Sequence, residues 1–277
     1  MTALTLETHS RAPRHVIADS VTMLRRNLLH MVRYPALSLF TVLGPVVILL
    51  LFVFVFGGAL GSAVPGLPAS AGVGDRGAYL AYVVPGILVI TIAGGAGGTA
   101  TTVAMDMKEG VVARFRTMSI SRAAVLTGHV LGNVIQGLIS VALVFGVSLL
   151  IGFRPTTGPL QWLALLGVVA LIQFAVVWLA VAMGMAATSV ESASNLPLIL
   201  LLLPLVGSGF VPTSTMPDAL RVFAQYQPFT PFTEAIRGLL LATPVGGAAL
   251  WTVVWSVAIA LGGYIWALAL YNRRSVR

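Results

Sequence analysis

The chain has 277 residues, of which 58% are hydrophobic and 9% charged, and it carries a formal net charge of +8 and no cysteine. Soluble globular domains hold about a quarter charged residues, so this composition excludes an ordinary soluble domain. The absence of cysteine excludes disulfides and thiolate metal sites. The positive charge is spread over loops and tails rather than gathered on one face. That fits membrane orientation, and no nucleic-acid partner is expected.

Residues 1–15 are polar, with Glu7, His9, Arg11 and Arg14. They read as a disordered tail without the apolar core of a secretory signal. From residue 16 a single transmembrane domain is expected to run to residue 277. Val16 to Tyr34 is amphipathic: Ile17, Val21, Leu24 and Leu28 recur at three and four, while Arg25, Arg26, His30 and Arg33 take the other face. A basic amphipathic helix just before a hydrophobic block lies in the cytoplasmic membrane interface as an anchor.

Six hydrophobic blocks follow, at about 36–56, 80–104, 123–152, 162–187, 196–211 and 247–271. A crossing needs about 20 apolar residues. The fifth block is short, and Pro197 and Pro204 interrupt it. Arginine and lysine cluster before the first block, between the second and third, and after the sixth. The positive-inside rule then places both termini and the 105–122 loop in the cytoplasm.

Residues 213–242 are largely apolar yet contain Asp218, Arg221, Glu234 and Arg237. A seventh crossing there would put each charge at a cost of about 2.5–3.5 kcal/mol and send the Arg273-Arg274 tail outside. Two half-helices forming a re-entrant hairpin fit better. Thr215-Met-Pro-Asp218 resembles a capping-box start, and Thr230-Pro231 opens a second helix in the same manner. Backbone at that depth needs cover from protein or a water-filled cavity. The hairpin therefore faces a partner or lines an exit, or else serves as a surface lid. The fold class expected is an all-α polytopic membrane protein: six transmembrane helices, an N-terminal cytoplasmic interfacial helix, and an extracytoplasmic re-entrant hairpin between spans five and six.

Gly94 and Gly98, four apart on the second block, form an edge where helix backbones can approach closely. Thr91 and Thr99 extend that edge. His129, Asn133 and Gln136 lie three and four apart on the third block, and Gln173 sits in the middle of the fourth. Polar groups in lipid are functional candidates or interhelical clamps. Thr91, Thr99, Asn133, Gln136, Gln173 and Phe210 are the candidates for a substrate pathway.

No Asp, Glu, Arg or Lys falls within the six blocks, so an intramembrane carboxylate for ion coupling is missing. No catalytic dyad accompanies His129, and the other three histidines precede the first block, so neither catalysis nor a metal site is expected. The single lysine, Lys108, is followed by Glu109, which rules out a Gly-x-x-x-x-Gly-Lys-Ser/Thr phosphate loop. A secondary carrier, a non-transporting scaffold and an exporter powered by another protein remain in play.

The 105–122 loop is the longest densely charged run between two blocks. Glu109 lies near the start of a short helix and Arg114 and Arg116 in its later turns, the polarity that a helix dipole favours. Val111, Val112, Phe115 and Met118 form one apolar edge, and Ser121 is placed to cap the third block. On physics alone the loop is an interfacial anchor or a docking knob.

The stretch Gly110 to Gly128, with Arg114-Phe-Arg-Thr-Met-Ser-Ile-Ser-Arg122 at its centre, resembles the ABC-2 type permeases, as does Leu149-Leu-Ile-Gly-Phe-Arg-Pro155. Gly209 to Leu240 is similar to a second characteristic part of that family. The likeness is to its bacterial drug-exporter branch, typified by the daunorubicin exporters. Ser119 departs from the proline usual before Ile-Ser-Arg. The resemblance implies a bacterial plasma-membrane exporter in which two permease chains, alike or different, pair with two ATPase subunits. ATP and Mg bind in those partners, with no cofactor in this chain. It further implies that Glu109, Gly110, Arg114, Phe115, Arg116, Thr117, Met118, Ser121 and Arg122, with Arg25 and Arg26, couple to the ATPase. A drug-like or lipid cargo would suit walls of Leu, Val, Phe and Gly.

Overall fold

A computed structural model of the chain describes residues 35–57, 76–108 and 122–273, and within them every regular element is helical. Helix α1, Pro35–Leu51, continues into a π-helical turn, Phe52–Phe56. Pro35 opens it with a φ already suited to a helix, and Pro45 lies inside it. Helix α2, Arg76–Lys108, has 33 residues, so it is about 50 Å long and exceeds the hydrocarbon thickness. It ends on Lys108, a cation at the negative end of the helix dipole.

Helix α3, Arg122–Ile151, stops at Gly152, whose φ of 118° suits a residue without a side chain. The Gly152 N–H donates to Leu149 O at 3.2 Å and the Phe153 N–H to Ser148 O at 2.9 Å. That pair of bonds satisfies the helix's last carbonyls, and the Phe153 ring is buried beneath it. Helix α4, Pro159–Ala186, starts with proline in its first turn, and the Gly158 N–H donates to Gln161 Oε1 at 2.7 Å.

The segment expected as the fifth crossing is broken into pieces. Helix α5 is Val190–Asn195, capped reciprocally by Ser189 and Ser192, and α6 is Leu198–Leu202. A 3-10 turn, Leu203–Val206, follows. Pro197 and Pro204 each withhold an N–H that a continuous helix would need. After a turn at 207–212 come α7, Asp218–Tyr226, and α8, Phe229–Leu240. Helix α9, Gly247–Arg273, ends the described chain.

Four described helices are long and apolar enough to cross a membrane: Gly77–Lys108, Val130–Ile151, Pro159–Ala186 and Gly247–Tyr271. Two shorter apolar stretches, Leu43–Val55 and Val190–Val206, correspond to the first and fifth blocks read from the sequence. The interfacial helix expected at 16–34 lies outside the described residues.

Helix α2 is the hub, touching α1, α3, α4, α5, α6 and α8. Leu80, Val84, Ile87 and Ile92 on α2 pack with Leu49 on α1, Ile172 on α4 and Phe232 on α8 in one core. A second cluster, including Val103, Trp178, Met185 and Tyr271, closes the end of the bundle nearer Lys108. The outer helices keep wide apolar faces open: Leu250, Trp251, Leu261 and Ile265 on α9, and Ile139, Leu143 and Leu150 on α3. Apolar surface on that scale belongs against lipid or another protein.

At Gly94, one end of the edge expected between Gly94 and Gly98, the helices do not approach tightly. A methyl group on Gly94 would meet only Leu201 Cδ1, at an ordinary 3.5 Å. One on Gly184 would collide with the Ala100 carbonyl, and one on Gly263 would come within 2.7 Å of Leu179 N. The tight crossings are therefore α2 with α4 and α4 with α9. The capping box expected at Thr215–Asp218 is also absent. Thr215 donates its hydroxyl to Pro212 O at 2.8 Å, and Pro217 occupies the cap position without a side-chain bond. Helix α8 opens at Phe229, one residue before Thr230, whose hydroxyl turns back to the Ala224 carbonyl.

Candidate functional site

The six residues proposed for a pathway lie in three places. Thr91 and Thr99, both buried on α2, donate their hydroxyls to Ile87 O at 2.7 Å and Gly95 O at 3.2 Å. These i−4 bonds keep the hydroxyls against their own helix. Asn133 and Gln136 are on α3, where Asn133 is buried and the Gln136 carbonyl accepts from Ser140 Oγ at 3.1 Å. Gln173 on α4 presses its amide against Gly137, leaving no room there for a methyl group, and its Oε1 has no hydrogen-bond partner. The Gln173 amide therefore packs against the α3 backbone at Gly137. Phe210 stands apart, its ring 4.6 Å from that of Phe52 on the π-helical turn.

Of the coupling residues, Glu109, Gly110, Arg114, Phe115, Arg116, Thr117, Met118, Ser121, Arg25 and Arg26 lie outside the described residues. Arg122 is the first residue of α3. The two ends that hold the loop are therefore in place, Lys108 on α2 and Arg122 on α3. Beside Lys108 a cleft of about 210 Å³ is lined by Ala104, Met107, Gly184, Thr188, Ser189 and Val190. The Glu191 carboxyl on its edge is held below its ordinary range, first by a backbone N–H, then by the Ser189 hydroxyl, and more weakly by the charge of Lys108. The sequence reading passed over this cleft. Ser189 and Ser192 at cap spacing, directly after a hydrophobic block, were the signal that could have revealed it.

A second arrangement surrounds Arg237. Helix α8 buries Phe229, Phe232, Ile236 and Leu240, and so carries Arg237 into the protein. Its Nη2 donates to Ser208 O at 2.8 Å and to Tyr82 O at 3.1 Å. The guanidinium carbon lies 4.4 Å from the centre of the Tyr82 ring, a cation–π geometry. Tyr82 Oη also donates to Ser208 O, at 3.2 Å. The turn at 207–210 is thereby clasped between α2 and α8. A methyl group on Gly209 would stand 3.1 Å from Gly86 Cα, so the two backbones touch. Among the described residues no carboxylate pairs with Arg237, and its Nε and the Ser208 Oγ are buried without partners. The sequence showed Arg237 only as a charge to be kept out of lipid.

Among the described residues no group of three or more His, Cys, Asp or Glu is placed to hold a metal. What the molecule offers is a multi-helix membrane body with a cleft at the end from which the charged loop leaves, and a cation-clasped turn elsewhere. This is the build of a polytopic membrane protein. The ABC-2 type transporter family model matches residues 20–241, and the chain belongs to that family. It is 28% identical over 247 residues to the daunorubicin resistance ABC transporter permease protein DrrB1 of Streptomyces coeruleorubidus, covering 89% of this chain and 82% of the relative. It is 27% identical over 226 residues to the probable doxorubicin resistance ABC transporter permease protein DrrC of Mycobacterium tuberculosis, covering 80% and 78% respectively.

Proposed function

We propose that this chain is the membrane-spanning permease of an ATP-driven exporter that moves an amphipathic, drug-like or lipid cargo out of the cytoplasm or inner leaflet. Two such chains, or one with a paralogue, would pair with two separate ATPase subunits that bind ATP and Mg. The observation that carries this reading is the family match across residues 20–241, on a body whose helices suit a bilayer. The names of the two relatives support a drug-like cargo, as does the open apolar surface of α3 and α9.

In this reading the chain crosses the membrane six times, counting 36–56 and the broken 196–211, with both termini in the cytoplasm. Residues 16–34 lie along the inner interface, and α7 and α8 form a hairpin in the outer leaflet. Closure of the ATPase pair would push on 105–122 and on 16–34, tilting helices as rigid bodies. Glu109, Arg114, Arg116 and Arg122 would register the loop on the ATPase, and Phe115 would fill a pocket there, since aromatic and arginine anchors dominate such contacts.

The test is capture. A tagged chain in membranes should bring down a P-loop ATPase and raise its hydrolysis rate. In the F115A/R116A variant the cargo flux should fall while hydrolysis persists. Export by the purified chain alone, with no nucleotide-hydrolysing subunit present, would overturn the proposal.

A further inference from the structure

We infer that Arg237 is the releasable clasp of the permease's outer gate: it holds the 207–210 turn closed against α2, and lets go when the exporter opens outward. The inference rests on the export reading above, which places this end of the bundle outside.

The turn is held from three sides. Arg237 on α8 bonds the Ser208 carbonyl, Tyr82 on α2 bonds the same carbonyl, and Phe52 on the π-helical turn meets the Phe210 ring. Three segments distant in sequence therefore converge on four residues. Glycines bracket Ser208 for a steric reason. A methyl group on Gly207 would come within 2.8 Å of Gln227 Nε2, and Gly209 lies against Gly86. The same glycines leave the turn free to take another path once the contacts part.

The chemistry of the hold is suited to release. Carboxylates hold an arginine most firmly, in a two-pronged pair. Here the cation is met by two carbonyls and a ring face, all on parts of the fold that could separate from α8. Three polar atoms around the turn, Arg237 Nε, Ser208 Oγ and Gln227 Oε1, are buried without hydrogen bonds. Each such group disfavours the closed arrangement and would gain partners on exposure to water. The clasp is therefore opposed from within, as a gate with two accessible states requires.

Nearby charges do not replace the clasp. Glu234, one turn earlier on α8, is exposed, and Asp218 and Arg221 pair with each other on α7. The π-helical turn, a feature frequent at functional sites, carries Phe52 against Phe210.

The chain has no cysteine, so S208C supplies a single thiol in place of a hydroxyl that makes no hydrogen bond. The variant is reconstituted with the ATPase subunit, and its labelling by a membrane-impermeant maleimide is timed at rest and after trapping with ATP and vanadate. Drug efflux from the same vesicles, with doxorubicin as the probe, is followed alongside. Labelling should be slow at rest and at least about tenfold faster when trapped, the ratio that loss of one hydrogen bond to a charged group supports. S208C/R237A should label at the fast rate without nucleotide, and S208C/R237K between the two. If the alanine variant fails to accumulate, S208C/Y82L provides the same comparison by removing the ring face.

An arginine with a purely structural role would raise labelling in R237A but give no nucleotide response while Arg237 is present, and that result overturns the clasp. Efflux with Ser208 shielded throughout also overturns it and leaves the export reading standing. A nucleotide-dependent change in labelling without efflux keeps the clasp and removes the drug cargo.

Discussion

Helices α7 and α8 are neighbours of similar length, and each carries an acidic residue three places before an arginine. Their fates are opposite. In α7, Asp218 and Arg221 pair with each other at 2.5 Å on the surface, with the Asp218 side chain 89% exposed. In α8, Glu234 stays exposed while Arg237 turns inward to the carbonyls of Tyr82 and Ser208. Helix α7 keeps Val222, Phe223 and Tyr226 open, whereas α8 buries Phe229, Phe232 and Ile236 against α2, α4 and α9. The same local spacing makes a surface ion pair in one helix and a tertiary clasp in the next. What differs is whether the rest of the fold supplies acceptors.

The sharpest break of this comparison is in the aromatic residues. Phe232→Ala should cost about 3–5 kcal/mol, because its ring is fully buried and the site cannot collapse freely. Phe223→Ala, half exposed on α7, should stay within about 0.5 kcal/mol. Equilibrium unfolding in mixed micelles measures both, and equal costs would erase the distinction between the arms. Arg237→Ala comes next. It strips a charged donor from the Ser208 and Tyr82 carbonyls and should cost about 1–3 kcal/mol by the same measurement. Smallest is Arg221→Ala, which breaks an exposed pair and should cost about 0.2–1 kcal/mol. That cost should shrink as salt is raised, whereas the Arg237 cost should change less, since partly buried contacts are screened less.

Much of the helical layout could be read from the residues. The blocks at 80–104, 123–152, 162–187 and 247–271 correspond to α2, α3, α4 and α9 to within a few residues. Pro197 and Pro204 announced the break in the fifth block, where each withholds a backbone N–H that a continuous helix would use. The candidate site was less legible. Thr91 and Thr99 read as packing residues or pathway candidates, and their hydroxyls bond carbonyls four residues back on their own helix. Gly94 and Gly98 matched the spacing of a close crossing. Gly94 makes only an ordinary contact with Leu201, whereas close crossings fall at Gly184 and Gly263, where the facing helix presents bare backbone. The box at Thr215 failed because Pro212 offered its carbonyl to the hydroxyl first.

The sequence by itself determined the membrane class, the length of the long helices and the places where helix must stop. Those properties are sums over neighbouring residues: apolar length, proline and glycine act on the segment that contains them. Only the tertiary structure decided that Arg237 would clasp the 207–210 turn, that Gln173 would press on Gly137, and that α8 would be buried while α7 is not. Each of those depends on a partner far away in the chain, 155 residues distant for Arg237 and Tyr82. A donor's acceptor is fixed only when packing brings the two together.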